Sequence, residues 1–208
     1  LSRYLERLPV DSIVLDLGAG TSYNTIDFFL NASERIVVTT PESTSIQSAY
    51  NFIRICVFRQ LQYIFYSNKT AWNIIEKAKV PNPDGEIIKI RDLLEYLLRI
   101  DPKGVEKFND LQKHFNPMLI MNMVMKNTET KIGWGVREVV KNYLDSEINY
   151  VGSISFDTSV RESLYNDTPY LLSSPKSKAA GDIMNLLPKL MGYSSDGDYY
   201  RETVTREI

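Results

Sequence analysis

An acidic residue followed by a glycine turn is the feature of this sequence most able to do chemistry. Asp16 follows the apolar run at residues 13–15, and Gly18 and Gly20 come directly after it. A carboxylate at the end of a buried strand can hold a divalent cation, and glycines let a ligand approach the backbone. A helix that starts after the turn would offer free N–H groups to an anion. A plain strand-turn-helix corner with a capping hydroxyl explains the same residues without a ligand.

Apolar spacing places this turn in a chain of alternating strands and helices. Apolar and β-branched runs predict strands at residues 12–17, 35–40, 117–124 and 148–154. Apolar residues three and four apart predict helices at residues 22–32, from 43 to about 65, within 68–116, at 136–144, at 158–165 and at 179–190. This order predicts an α/β fold with a mostly parallel sheet and helices on both faces.

The predicted strands end in polar residues. Asp16 ends the first, Thr39 the second and Asn122 the third, and Asp157 follows the fourth. Ligands of parallel α/β sheets bind at the carboxyl ends of the strands. If the strands pair in parallel, we expect Asp16, Asn122 and Asp157 to line one edge. A threonine at such a strand end often only caps the next helix.

A helical block at residues 68–116 interrupts the alternation. It contains no convincing strand, and its charges are mixed. We expect an insertion that acts as a lid or a partner surface, or a solvated elaboration with no role of its own. We predict one domain over residues 1–192 that includes this block, followed by a flexible polar tail at residues 193–208.

The composition excludes several classes of protein. With 208 residues, 43% hydrophobic and 24% charged, the chain has the composition of an ordinary globular domain. A formal charge of −2 gives no support for nucleic-acid binding. No signal peptide and no apolar run of about 20 residues is found, and there is one cysteine, so we expect a cytoplasmic protein. His114 is the only histidine, which excludes His-rich metal sites and conventional catalytic triads.

Several segments resemble, in the same order, the MinD/ParA family of P-loop ATPases, particularly its FlhG-like branch. Met121-Asn122-Met123 resembles the strand end that reads adenine, and Ser155 replaces the proline of the Pro-x-Asp segment that Asp157 closes. The resemblance covers most of residues 1–67 and 117–190. The matching segments are residues 16–20, which resemble the Walker B and switch region, then 36–50, 121–123, 150–162 and 169–180.

This resemblance implies an ATP-binding, Mg²⁺-dependent ATPase. Asp16 would be the catalytic acid and the metal ligand, while Gly18, Gly20, Asn122 and Asp157 would bind the nucleotide. The family's members form homodimers that act as nucleotide switches in spatial organisation, such as flagellar placement, chromosome partitioning or cell division.

The phosphate-binding loop of such enzymes is missing from this sequence. No Gly-x-x-x-x-Gly-Lys-Ser/Thr motif occurs in the 208 residues. We therefore expect the rear part of a longer ATPase, inactive by itself. A protein partner could bind residues 68–116. Because the tail is acidic and polar, we predict no membrane contact through it.

Two other functions stay open at this stage. Residues 14–21 also resemble the first motif of Rossmann-type S-adenosylmethionine-dependent methyltransferases, with Glu42 as a ribose-binding acid. Against this, a helical block follows the second strand, and no methyltransferase motif ends the third. The other alternative is a regulatory module that keeps the fold and binds nucleotide and a partner without hydrolysis.

Overall fold

The computed structural model describes residues 7–80 and 87–191. Its elements confirm the alternating pattern from residue 22 onward, and none of the described helices is both long and apolar enough to cross a membrane. They are α1 (Tyr23–Asn31), β1 (Ile36–Thr39), α2 (Ser43–Phe65), α3 (Lys69–Ala78), α4 (Ile90–Leu98), α5 (Pro102–Lys113), β2 (Met118–Val124), a 3₁₀ turn (Asn127–Glu129), α6 (Thr130–Leu144), β3 (Asn149–Ser155), α7 (Thr158–Tyr165), α8 (Tyr170–Ser173) and α9 (Lys178–Leu190).

The strands form a parallel sheet in the order β1-β2-β3. Val38 pairs with Ile120, and Ile120 pairs with Gly152 across the central strand. The expectation of parallel pairing is confirmed for these three strands, so their carboxyl ends share one edge. Each connection passes through helices, as parallel strands require.

The first predicted strand, at residues 12–17, is absent from the structure. Residues 12–18 have no regular secondary structure, and the side chain of Val14 is 91% exposed. Apolar residues alone do not make a strand, because its N–H and C=O groups need a neighbouring strand. No described strand pairs with this segment, and the prediction of a buried strand was wrong. Only Leu17 packs against the core.

Helices cover both faces of the sheet, as predicted. Along β2, Leu119 and Met121 face the main core, which they share with α2 and α6. The alternate residues Met118 and Ile120 pack on the other face against Leu186 of α9. This alternation follows from the two-residue period of a strand.

The helical block at residues 68–116 belongs to the main core. Ile75 of α3, Leu97 of α4 and Phe108 of α5 are almost fully buried in the same cluster as Phe65 of α2. This arrangement is not that of a separate lid. The predicted tail at residues 193–208 lies outside the described residues, so the structure does not test it.

Candidate functional site

The carboxyl edge of the sheet brings together two of the predicted site residues. Thr39 pairs with Met121, and Val124 pairs with Ser155, so all three strands end at the same edge, with β1 ending three residues before β2. Asn122 lies near the end of β2, two residues before Val124, and Asp157 lies two residues beyond the end of β3. These two side chains therefore belong to neighbouring strand ends.

A β-bulge shapes the backbone around Asn122. The register between β2 and β3 shifts between Met121 and Val124, and Met123 has φ 58°. For a residue with a side chain, this left-handed conformation costs about 1–2 kcal/mol. Bulges re-aim side chains near active sites, and strained backbone is concentrated at functional sites. The bulge is therefore the strongest local indication that the end of β2 has a role beyond sheet pairing.

The Asn122 amide keeps hydrogen-bonding capacity at this edge. Its Oδ1 accepts the N–H of Met123 at 2.9 Å, which uses one of the two lone pairs. Among the described residues, no hydrogen bond satisfies its Nδ2 group. The side chain is partly buried, so its direction is restricted while two donor positions and one acceptor position stay available.

Asp157 is occupied by hydrogen bonds from its own loop. Its Oδ1 accepts the hydroxyl and the backbone N–H of Ser159, and its Oδ2 accepts the Tyr170 hydroxyl at 3.2 Å and the Ala179 N–H at 3.4 Å. The Ser159 hydroxyl is the main cause that lowers the pKa of Asp157 to about 2, helped by the N–H groups and the tyrosine. The carboxylate caps α7 and ties it to the start of α9. It therefore holds the loop in position.

A polar cleft of about 140 Å³ opens between the β2–α6 loop, the end of β3 and α9. Asp182 of α9 accepts the N–H of Ser155 at 2.8 Å, so the wall that α9 supplies is attached to the strand. The polar residues that line the cleft are Lys126, Asn127, Thr130, Ser153, Ser155, Lys178 and Asp182. The sequence reasoning did not select these residues, although the polar segment at 169–180 was part of the family resemblance.

The threonines at the end of β1 have a structural role. The Thr39 hydroxyl lies 2.9 Å from the Ser45 hydroxyl, which also accepts the Thr40 N–H at 3.1 Å. These bonds fasten β1 to the first turn of α2. The first turn of α2 therefore lies at the carboxyl edge of the sheet.

The direction in which α1 packs along α2 places the glycine turn away from the carboxyl edge of the sheet. Phe29 packs edge-on against Phe52 of α2, with ring centroids 4.9 Å apart. Nearer the start of α1, Asp27 forms a two-point ion pair with Arg59, each bond 2.8 Å long. Arg59 lies beyond Phe52 along α2, so α1 runs antiparallel to α2. The chain before Tyr23 is therefore directed away from the start of α2.

Asp16, Gly18 and Gly20 are exposed in this turn, and no described contact joins them to Asn122 or Asp157. A side chain added at Gly18 or Gly20 would meet no atom within 4 Å, so nearby atoms leave space for a ligand. Gly20 has φ 157°, which favours glycine. The expected convergence of Asp16 with Asn122 and Asp157 is therefore not formed in this structure.

A metal ion at Asp16 would need ligands from elsewhere. Within residues 7–80 and 87–191, no three acidic, histidine or cysteine side chains lie close enough together to hold a metal ion. Mg²⁺ commonly binds one or two carboxylates together with phosphate oxygens. A single exposed aspartate such as Asp16 could therefore supply only one ligand to Mg²⁺, and a bound phosphate would have to supply others.

Comparison with known proteins adds no assignment. No protein-family model matches the sequence, and no curated protein matches it. The resemblance to the MinD/ParA family consequently rests on the sequence segments described above.

Proposed function

We propose that this chain supplies the base-binding part of the ATP site in a Mg²⁺-dependent ATPase of the MinD/ParA type. The observation that carries the proposal is the position of Asn122. It lies on a strained bulge at the carboxyl edge of a parallel sheet and has unused amide hydrogen-bonding positions. Val124, two residues further along the same strand, lines the polar cleft. Ligands of parallel α/β sheets bind at this edge.

An asparagine amide matches the edge of adenine. Adenine offers a donor at its N6 amino group and an acceptor at N7, and an asparagine can bond both at once. The second lone pair of Asn122 Oδ1 would accept from N6, while Nδ2 would donate to N7. Guanine has an acceptor, O6, in place of the N6 amino group, so the same amide discriminates against it.

Asp157 and α9 would define the shape of the base site. Because the Asp157 carboxylate holds the N–H groups of Ser159 and Ala179, it fixes the loop after β3 relative to α9. The bond from Ser155 to Asp182 fixes the strand end itself. In this proposal, Asp157 supports the nucleotide site without contacting the base.

The phosphate end of the site needs groups that the described residues do not bring to this edge. Asp16 would share Mg²⁺ with the phosphates, and Gly18 and Gly20 would approach them, once the turn moves to the carboxyl edge. The 208 residues contain no glycine-rich lysine loop. We therefore expect this chain alone to bind ATP weakly and not to hydrolyse it. A longer polypeptide with that loop would hydrolyse ATP and dimerise as a switch in spatial organisation of the cell.

Ligand binding to the purified chain tests the base site directly. Mg-ATP, Mg-GTP and S-adenosylmethionine are titrated separately by calorimetry. We expect Mg-ATP to bind more tightly than Mg-GTP, and Asn122→Ala to weaken ATP about 5- to 150-fold, which corresponds to about 1–3 kcal/mol for one such base contact. Asn109→Ala, at an exposed asparagine of α5, is the matched control and should change nothing.

Four results would contradict the proposal. Equal affinity for ATP and GTP would refute the base-reading role of Asn122. ATP binding by Asn122→Ala with the wild-type affinity would refute it too. Binding of S-adenosylmethionine alone would support the methyltransferase alternative. In a longer polypeptide with the lysine loop, nucleotide binding without turnover would support the regulatory module.

A further inference from the structure

The polar cleft between the β2–α6 loop, the end of β3 and α9 carries more positive than negative charge. Lys126 of the loop and Lys178, the first residue of α9, both line it. Neither ammonium group forms an ion pair or a hydrogen bond with another described residue. Of the described residues that line the cleft, only Asp182 is acidic. Two ammonium groups against one carboxylate favour an anionic ligand over a cation.

Backbone N–H groups hold the acidic groups beside the cleft. Asp182 Oδ2 accepts the N–H of Ser155 at 2.8 Å, and no described group donates to its Oδ1. Glu129 does not line the cleft, and its Oε2 accepts the N–H groups of Met125 and Lys126 at 2.8 and 3.1 Å. The charged groups still available in the cleft are therefore two ammonium donors and one carboxylate oxygen.

The size of the cleft limits the ligand to a small ion. Its volume is about 140 Å³. A cavity of about 150 Å³ holds a molecule of the size of benzene, whereas drug-sized ligands need about 300–1,000 Å³. A nucleotide therefore does not fit. Asn122 does not line the cleft either, so this cleft is separate from the proposed base site.

We propose that the cleft binds one inorganic phosphate ion in its hydrogenphosphate form. The ammonium groups of Lys126 and Lys178 would donate to its oxygens. The hydroxyl of Ser155, which forms no hydrogen bond with another described residue, would add a neutral donor. The available Oδ1 of Asp182 would accept a hydrogen bond from the protonated oxygen of the ion. Hydrogen bonds with an ionised donor or acceptor are roughly twice as strong as neutral ones.

The carboxylate of Asp182 would select between anions of similar shape. An ionised carboxylate can only accept hydrogen bonds. Inorganic phosphate keeps at least one proton at neutral pH and can donate a hydrogen bond through it, whereas sulfate has no proton. A phosphate monoester has mostly lost its proton at neutral pH, because its second pKa is about 6. We therefore expect inorganic phosphate to bind more tightly than sulfate or methyl phosphate.

A bound phosphate would connect the β2–α6 loop to α9. Lys126 follows the end of β2 by two residues, and Lys178 begins α9. A ligand that binds only the folded chain stabilises it by mass action, so phosphate should raise the Tm. The position of the loop at the carboxyl edge would then respond to the phosphate concentration.

Calorimetric titration of the 208-residue chain, without nucleotide and at constant ionic strength, tests the site. Inorganic phosphate, sulfate and methyl phosphate are titrated separately at neutral pH. We expect one phosphate per chain, bound roughly tenfold or more tightly than the other two ions, because only phosphate gains the charged hydrogen bond to Asp182. Two-dimensional NMR locates the ion, since the amide signals of Asn127, Ser155 and Lys178 should shift. Binding without these shifts, or no saturable binding at millimolar phosphate, would overturn the proposal.

Three lysine substitutions separate the cleft from general charge attraction. Lys126→Ala and Lys178→Ala should each weaken phosphate binding roughly tenfold or more, since each removes a charged hydrogen-bond donor. Lys176→Ala is the matched control, because it removes the same charge two residues from Lys178, at an exposed residue that does not line the cleft. It should change the affinity less than about twofold, as salt screens exposed charges. Equal weakening by all three variants would contradict binding in the cleft.

Asp182→Asn tests the selection of phosphate without removing the bond to the strand end. The amide oxygen can still accept the Ser155 N–H, while the amide nitrogen takes the place of the available oxygen and becomes a donor. We therefore expect phosphate to lose its advantage over sulfate, while the Tm without ligand stays close to that of the wild type. An unchanged preference for phosphate in this variant, or equal binding of both ions by the wild type, would overturn the hydrogenphosphate assignment. Since no nucleotide is present, these results do not depend on the proposed ATP site.

Discussion

Replacing Gly133 or Gly135 of α6 by alanine changes the helix propensity by the same amount. The difference in stability between the two variants therefore reports packing alone. Gly133 faces β3, and a Cβ added there would lie 2.3 Å from Cε2, 2.5 Å from Cζ and 2.6 Å from Cδ2 of Tyr150. Carbon atoms prefer separations of about 3.5–4.0 Å, so the ring would have to shift by about 1 Å. Tyr150 is buried, and its ring also packs edge-on against Trp134 with centroids 5.3 Å apart. Gly135 has no atom within 4 Å of its added Cβ.

The expected magnitudes follow from this geometry. Alanine is better than glycine inside a helix by about 1 kcal/mol, so Gly135→Ala should stabilise the protein by about that amount. Overpacking of a well-filled site costs about 1–3 kcal/mol. Gly133→Ala should therefore destabilise by up to about 2 kcal/mol. Since the helix contribution is common to both variants, their difference of about 1–3 kcal/mol measures the contact with Tyr150.

Urea unfolding followed by circular dichroism measures both variants. The slopes of the two transitions should be equal, which allows the midpoints to be compared as free energies. If both variants are stabilised equally, α6 does not pack on Tyr150 as described. The double variant Gly133→Ala/Tyr150→Leu provides a control, because a smaller, flexible side chain should recover part of the loss.

Three further perturbations test other parts of the molecule. Phe108→Ala should destabilise by about 3–5 kcal/mol in urea unfolding, and Leu111→Ala, at a position of α5 that is 39% exposed, by less than about 1 kcal/mol. Equal small losses would mean that the helical block is not part of the core. Gly152→Ala should destabilise by about 1–3 kcal/mol, because φ is 144° and the new Cβ would lie 2.8 Å from Leu186 Cδ2, whereas Gly181→Ala, which meets no atom within 4 Å, should not. The pKa of Asp157 is lowered from 3.8 to about 2 in the folded chain, so its contribution to stability is present above pH 4 and is lost as the pH falls towards 2. Unfolding midpoints between pH 5 and 2 should show this loss of stability in the wild type and a smaller loss in Asp157→Asn. Identical profiles would show that Asp157 does not cause the loss.

Local patterns predicted most of the described elements. The helices could be found because apolar spacing of three and four residues is a property of each segment alone. α2 and the helices of the block at residues 68–116 follow this spacing. β1 and β2 lie within their predicted strand ranges, and β3 ends one residue beyond its predicted range of 148–154. Asn122 and Asp157 reach one edge because the strands are parallel.

Features that depend on distant partners could not be predicted in this way. The left-handed backbone at Met123 is disfavoured by its residue type, so nothing in Met-Asn-Met indicates it. The cleft wall formed by Lys178 and Asp182 depends on how α9 crosses β3. The antiparallel course of α1 along α2 depends on the pairing of Asp27 with Arg59, which are distant in sequence.

The failed prediction at residues 12–17 and the side of β1 that no described strand covers both leave apolar side chains in water. Complete burial of a valine or isoleucine contributes about 1.5–3 kcal/mol, and Val14, Ile36 and Val38 together leave nearly two such side chains exposed. Covering them would contribute about 3–6 kcal/mol, a large part of the roughly 5–15 kcal/mol typical of a whole domain. Residues 12–17 do not cover β1 in the described structure, because α1 runs antiparallel to α2 and directs them away from the carboxyl edge. For these residues to pair in parallel beside β1, α1 would have to run in the same direction as α2, as the helical connections between parallel strands do. Asp16 would reach the edge that carries Asn122 only through such a change in the course of α1.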